Sequence, residues 1–83
     1  MRVLSQSGLI NVPYENTSFN IVHSTIPKYL TVNLEEDLDF GFEIQAIEIQ
    51  KVMARYRTEE EAYEAMAELH RSFVEYKDLF QFA

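Results

Sequence analysis

The two histidines are the first candidates for catalysis or metal binding, because an imidazole can act as a general base or bind a metal near neutral pH. Neither His23 nor His70 has an acid or serine partner at a spacing typical of a catalytic motif. A zinc site needs three or four ligands, and the chain contains no H-E-x-x-H pattern. His70 can be paired with Glu68 or Asp78, but many helices allow such a pairing, so it does not indicate a metal site. We therefore expect both histidines to be surface or boundary residues.

Four acids lie close together in the chain and are candidates for binding a cation: Glu35, Glu36, Asp37 and Asp39. Carboxylate oxygens are the ligands that Ca²⁺ and Mg²⁺ prefer. The order of these acids lacks the D-x-D-x-D-G pattern of a calcium loop, so a solvated acidic loop is expected instead. We predict no metal and no other cofactor.

The sequence contains no recognisable motif for a catalytic nucleophile or a phosphate-binding loop. Ser5 and Ser7 precede Gly8, but no G-x-S-x-G sequence is present. The chain has two glycines and no cysteine, so it offers no Gly-rich phosphate loop and no thiolate. We predict no catalytic residue, and an enzyme is the least favoured class of function.

Aromatic residues are numerous for such a short chain, with six Phe and five Tyr among 83 residues. Large exposed apolar side chains mark contact surfaces. We predict a possible protein interface formed by four of the aromatic residues: Tyr14, Tyr63, Phe80 and Phe82. The alternative, which we favour, is that these side chains simply fill the core.

The element that must organise these residues is a helix over residues 58–77. Thr58 is a good N-cap, and Glu61 three residues later completes a capping box. Apolar residues recur at helical spacing and form one stripe, made of Ala62, Met66, Leu69, Phe73 and Tyr76, with Ala65 beside it. An isolated helix of this length is marginal in water, so the stripe must be buried against another layer.

Strands supply that layer. Short strands are predicted at 2–6, 17–23 and 29–34, and the last two form a hairpin. Pro13 makes 9–14 an edge segment or a bend. The sequence therefore predicts one α+β domain over residues 1–83. Its antiparallel sheet has four to five strands, with one C-terminal amphipathic helix packed on one face.

Residues 40–57 are ambiguous between strand and helix. The apolar pattern changes phase twice, which in a strand indicates bulges or breaks. A helical stripe from Phe42 to Tyr56 fits nearly as well, but the β-branched and aromatic content favours strand. We take this long segment as the candidate interface of a homodimer, because an open sheet edge pairs readily with a second copy. The tail 78–83 is either a last short strand or an apolar tail on the core.

Charge narrows the class of partner. The net charge is −7, and residues 34–48 hold six acids and no base. Nucleic-acid affinity comes mainly from neutralising phosphates, so direct nucleic-acid binding is not expected, and neither is binding to an anionic membrane. The absence of cysteine and of an apolar leader-like segment favours a cytoplasmic location.

Three short motifs resemble a group of small proteins of Gram-positive bacteria and their prophages: M-R-V-L-S-Q-S-G at 1–8, V-P-Y-E at 12–15 and A-R-Y-R-T-E-E-E-A at 54–62. Members of that group look like a β-meander followed by one helix and an aromatic tail with F-Q, as at 80–81. Residues 35–52 differ from the pattern of that group and resemble an insertion into it. The resemblance implies a fold and no activity, since the group has no assigned function.

We carry three classes of function from the sequence. The first is a non-enzymatic accessory or protein-interaction module that binds a protein partner or a second copy of itself. The second is an acidic decoy that imitates DNA phosphates and inhibits a nucleic-acid-acting protein. The third is a small enzyme.

Overall fold

A computed structural model describes residues 1–23 and 41–83, and within these residues it shows six strands, one α-helix and a single turn of 3₁₀ helix. In chain order they are β1 (Arg2–Leu4), β2 (Asn11–Pro13), the 3₁₀ turn (Tyr14–Asn16), β3 (Phe19–His23), β4 (Phe42–Ala46), β5 (Lys51–Tyr56), α1 (Glu59–Val74) and β6 (Leu79–Gln81). The chain is therefore α+β, as its sequence predicts.

The first sheet has the order β2-β1-β6. β1 pairs antiparallel with β2, with Val3 opposite Val12, and parallel with β6, with Val3 opposite Phe80. The strand that begins the chain is thus sandwiched between its neighbour in sequence and the strand that follows the helix. Pro13 lies in the edge strand β2, where a missing N–H does least harm.

The second sheet is an antiparallel meander of β3, β4 and β5, and β4 is its central strand. The pairing of β4 with β5 shifts register between Ile44 and Gln45. Ile47–Gln50 form the turn between the two strands, and Gln50 has a left-handed φ of 53°. Within 40–57, the strand prediction is confirmed for Phe42–Ala46 and Lys51–Tyr56, and the change of apolar phase near Ile47 marks the turn between them.

Gln6 joins the two sheets. Its backbone N–H donates to the Met53 carbonyl at 2.8 Å, and its side-chain oxygen accepts the N–H of Arg55 at 2.8 Å. The side-chain nitrogen donates to the carbonyls of Arg55 and Ala83, at 3.3 and 2.7 Å. One residue therefore occupies part of the outer edge of β5 as a further strand would.

The helix α1 begins at the predicted cap, with the N–H of Glu61 donating to the Thr58 hydroxyl oxygen at 3.2 Å. It packs against β4 and β5 of one sheet and β6 of the other. Ala62 and Leu69 are fully buried, whereas Phe73 is partly exposed and Tyr76 lies beyond the helix. The prediction that Tyr76 belongs to the buried stripe is wrong, because the helix ends at Val74 and the backbone of Tyr76 turns left-handed.

Both sheets and the helix share one core. Its buried members come from every layer: Val3 and Val12 of the first sheet, Ile44, Ala46, Met53 and Ala54 of the second, Leu69 of α1, and Phe82 after β6. The expected single sheet of four to five strands is not confirmed, because the six strands of the described residues divide into two sheets. The predicted strand 29–34, its hairpin and the acidic loop 35–39 fall outside the described residues.

Candidate functional site

A groove of about 610 Å³ runs between α1 and β6. One wall is a single helix face, because positions 61, 64, 65, 68 and 71 follow the three- and four-residue steps that place side chains together. The other wall is formed by Phe80, Gln81 and Ala83 at the end of the chain's last strand. The size lies within the range of ligand-binding clefts.

The helix wall of the groove is acidic. It presents the carboxylates of Glu61, Glu64 and Glu68 and a single cation, Arg71, whose guanidinium pairs with Glu68 at 2.6 Å. Glu61 accepts a hydrogen bond from the Thr58 hydroxyl at 3.1 Å. The Glu64 side chain makes no hydrogen bond or ion pair with any other described residue. The wall therefore carries three negative charges against one positive charge.

The floor of the groove is apolar and partly sealed. Ala65 and Phe80 are half-buried, and Tyr56 donates its hydroxyl to the Ala83 carbonyl at 3.1 Å. Burial raises the pKa of the Tyr56 hydroxyl above its ordinary value of 10.0, and the negative charge of Glu61 raises it further.

The outer edge of β6 borders this groove and carries unpaired backbone groups. On the inner side, the Asp78 carbonyl accepts the N–H of Arg2 at 2.9 Å, and the N–H of Phe82 donates to the Leu4 carbonyl at 3.2 Å. In a parallel ladder the alternate residues then face away, which here are Leu79 and Gln81. No described residue pairs with their outward N–H and C=O groups. Among the residues that the structure describes, no strand lies along this edge.

A sharp turn holds β6 in place. Gly8 has a left-handed φ of 77°, and the Gln81 side chain packs beside it and donates to the Ser5 carbonyl at 3.2 Å. The hydroxyl of Ser5 is 2.9 Å from that of Ser7 and accepts the N–H of Ile10 at 3.2 Å. Ser5 is almost completely buried. Both serine hydroxyls are therefore engaged in hydrogen bonds of the turn.

The histidines lie apart, at two ring contacts. The His23 ring stacks on that of Phe42 with centroids 4.7 Å apart. His70 Nδ1 is 2.7 Å from the hydroxyl oxygen of Tyr14. Within residues 1–23 and 41–83, no three His, Asp or Glu side chains are grouped so that they could hold a metal ion. The same residues contain no helix long and apolar enough to cross a membrane.

The four aromatic residues of the predicted interface are placed differently from one another. Phe82 is only 2% exposed and belongs to the core, so it is not available at a surface of this fold. Tyr14 is half-buried and stacks on Phe73 with ring centroids 4.3 Å apart. Phe80 is half-buried in the groove, and Tyr63 is well exposed on α1. Phe80 and Phe82 are in contact, but the four do not form one patch.

The described part of the segment 40–57 is partly covered at its edges. Strand β4 is paired on both sides, and Gln6 occupies the outer edge of β5 at Met53 and Arg55. At β6, the outward backbone groups of Leu79 and Gln81 have no partner among the described residues. A separate group of exposed apolar side chains surrounds the end of α1, consisting of Phe73, Val74, Tyr76 and Leu79.

Sequence reasoning missed the groove because nothing in the sequence places the last strand beside α1. The available signal was the spacing of Glu61, Glu64 and Glu68, which puts three acids on one side of the helix. The alternation in the tail also hinted at a last strand, and β6 confirms it. No protein-family model, curated protein or solved structure matches the chain.

Proposed function

We propose that the protein is a protein-interaction module, which binds an extended segment of a partner protein along the outer edge of β6. The observation that supports this is the open edge itself, because the outward N–H and C=O groups of Leu79 and Gln81 lie beside a groove. Exposed strand edges pair readily with another chain, and strand addition is a recurring mode of peptide recognition.

The groove supplies side-chain contacts, which a bare strand edge lacks. An added strand lies about 4.8 Å from its neighbour, and its alternate side chains point to one face. Those on the helix side of β6 would contact Ala65, Phe80 and Tyr56. The backbone would form up to four new hydrogen bonds with Leu79 and Gln81, each contributing roughly 0.5–1.5 kcal/mol net. Main-chain bonds thus provide affinity, and the groove provides selectivity.

Self-association is the alternative that a specific feature favours. The exposed Phe73, Val74, Tyr76 and Leu79 lie near the end of α1 and the start of β6, where they would add apolar contact to a pairing of two β6 strands. Light scattering over a concentration series distinguishes the two. A monomer at all concentrations removes this alternative, and a dimer that forms only with an intact β6 edge supports it.

The test of strand addition removes one outward N–H. In Leu79→Pro the backbone N–H that faces away from β1 is lost, while the ladder between β1 and β6 keeps its bonds. Leu79→Ala is the matched control, because it also shortens the exposed side chain but retains the N–H. Circular dichroism establishes that both variants fold.

The probe is a random peptide library displayed on phage and selected on the immobilised protein. Selected peptides are synthesised, and their affinities are measured by fluorescence anisotropy. We expect binding to Leu79→Ala close to that of the original protein and a loss of about tenfold or more for folded Leu79→Pro. Equal affinities for the two variants, or a library that yields no binding peptide, would count against strand addition at β6.

A further inference from the structure

We infer that the segment that binds along β6 is basic, with lysine or arginine side chains at the alternate positions that face α1. This inference rests on the strand-addition function proposed above and specifies the chemistry of its ligand. A positively charged extended peptide is the occupant, in preference to a neutral peptide or a second copy of the chain.

The first reason is the charge of the helix wall. Arg71 offsets part of the charge of Glu68, and Glu61 has the Thr58 hydroxyl as a partner. Glu64 has no partner among the described residues and lines the same groove. An incoming cation would therefore pair with Glu64 first, without displacing an existing contact.

The second reason is the apolar surface beside the acids. Half-buried Ala65 and Phe80 line the groove next to the exposed Glu61, Glu64 and Glu68. Long lysine and arginine side chains also place their methylene stems against apolar surface while the charge reaches the glutamates.

The third reason concerns a second copy. In a two-fold interface each surface meets its own equivalent. Pairing of two β6 strands would bring Glu61, Glu64 and Glu68 of one copy near the same acids of the other. The chain as a whole has a net charge of −7, which adds to the repulsion. A basic partner is instead attracted by these acids, and the attraction raises the rate of association.

The experiment compares three short labelled peptides that share valine and threonine at one set of alternate positions. The other set is lysine in the first peptide, glutamine in the second and glutamate in the third. Affinities are measured by fluorescence anisotropy for the original protein, Glu64→Lys and Glu75→Lys. Glu75 follows α1 outside the groove, so its replacement changes the net charge equally without touching the site.

We expect the lysine peptide to bind most tightly, and to lose about tenfold or more in affinity with Glu64→Lys but about twofold or less with Glu75→Lys. Its binding should also weaken at about 1 M salt, where the screening length is about 3 Å. Equal losses in the two variants would overturn the groove as the source of selectivity and favour the acidic decoy, which responds to total charge.

Other outcomes separate this inference from the proposed function. If the glutamine peptide binds as tightly as the lysine peptide, and Leu79→Pro abolishes both, strand addition stands and the basic occupant is wrong. If none of the three peptides binds, both are wrong. A photo-crosslinking residue at position 64 identifies any other occupant: a crosslink to a second copy, or to another segment of the same chain, overturns the basic peptide.

Discussion

Single residues with left-handed backbone lie in the turns that follow β1 and α1. Gly8 has a φ of 77° in the turn after β1, and glycine adopts that conformation freely. Tyr76 has a φ of 61° immediately after α1, at the position where helices commonly end with glycine. The N–H groups of Tyr76 and Lys77 donate to the carbonyls of Phe73 and Ser72, at 3.1 and 3.0 Å. This is the hydrogen-bond pattern of a Schellman motif, built here on a strained tyrosine.

The substitution Tyr76→Gly should therefore stabilise the protein by about 1 kcal/mol, because the left-handed conformation costs an L-residue about that much. The Tyr76 side chain is 92% exposed, so its removal forfeits little packing. Tyr76→Ala is the control, since it removes the same ring but keeps a Cβ, and it should change stability by less than about 0.5 kcal/mol. Urea unfolding measures both. Equal effects of the two variants would contradict the strain argument.

A carboxylate at the β4–β5 turn makes stability depend on pH. Glu48 accepts the N–H of Ser18 at 2.8 Å, and this hydrogen bond lowers the pKa of the Glu48 carboxyl below its ordinary value of 4.5. Folding thus favours the charged form. The contribution to stability is complete above pH 4.5 and is lost as the pH falls below it through the lowered pKa.

We expect Glu48→Gln to lower the melting temperature at pH 7. In strongly acidic buffer, where Glu48 is protonated, the melting temperature of the variant should approach that of the original protein. Melting curves followed by circular dichroism across this range give the measurement. The same difference in melting temperature at both ends of the range would show that the charge of Glu48 does not contribute.

The residues of the first quoted motif have two kinds of structural role. Some form a local turn, and one makes a contact distant in the sequence. In S-Q-S-G, Ser5 and Gly8 form the turn, while Gln6 reaches a strand more than forty positions away in the sequence. A turn is predictable from Ser-Gly because glycine supplies the positive φ. The contact of Gln6 with Arg55 is not, because nothing in a local pattern specifies a partner distant in sequence.

At the scale of elements, Gln6 is the main polar link between the sheets. Its side-chain amide accepts from Arg55 and donates to the carbonyls of Arg55 and Ala83. We expect Gln6→Met, which preserves the length of the side chain, to lower the free energy of unfolding by about 1–3 kcal/mol, since these backbone groups lose their partner. Urea unfolding tests this. A change below about 0.3 kcal/mol would show that water replaces the amide without cost.

The elements themselves were largely predictable, and their limits follow from local physics. The cap at Thr58 places the start of α1 because it satisfies a free N–H at the helix end. The apolar phase change in 40–57 marked the Ile47–Gln50 turn, since a strand exposes alternate residues to opposite faces. The end of α1 was overestimated because Tyr76 continues the apolar spacing, although its backbone leaves the helix.

At the scale of the whole molecule, the division into two sheets could not be predicted. The parallel pairing of β1 with β6 joins strands separated by most of the chain, and two three-residue strands carry too little pattern to specify such a pairing. The groove depends on this pairing, because it places β6 beside α1. The acids of the groove were visible in the sequence, but the strand edge beside them was not.

The shared core predicts that both sheets unfold together. Leu69 of α1 is fully buried in the cluster that includes Val3 of the first sheet and Ile44 of the second. Leu69→Ala should lower the free energy of unfolding by about 2–5 kcal/mol, because a cavity remains where the side chain was. That is a large part of the ~4–12 kcal/mol expected for a chain of this length. Val74→Ala, on an exposed position of the same helix, is the control and should cost less than about 0.5 kcal/mol.

Native-state hydrogen exchange measures the two sheets separately. If one core supports both, Leu69→Ala lowers the opening free energy of slowly exchanging β1 and β4 amides by the same amount, since those amides exchange only through global unfolding. A loss of protection confined to β4 would show that the sheets are independent units, and β6 would then be anchored by β1 alone. Equal loss instead means that the groove is rigidly built, because the helix wall and the strand edge move only when the whole core opens.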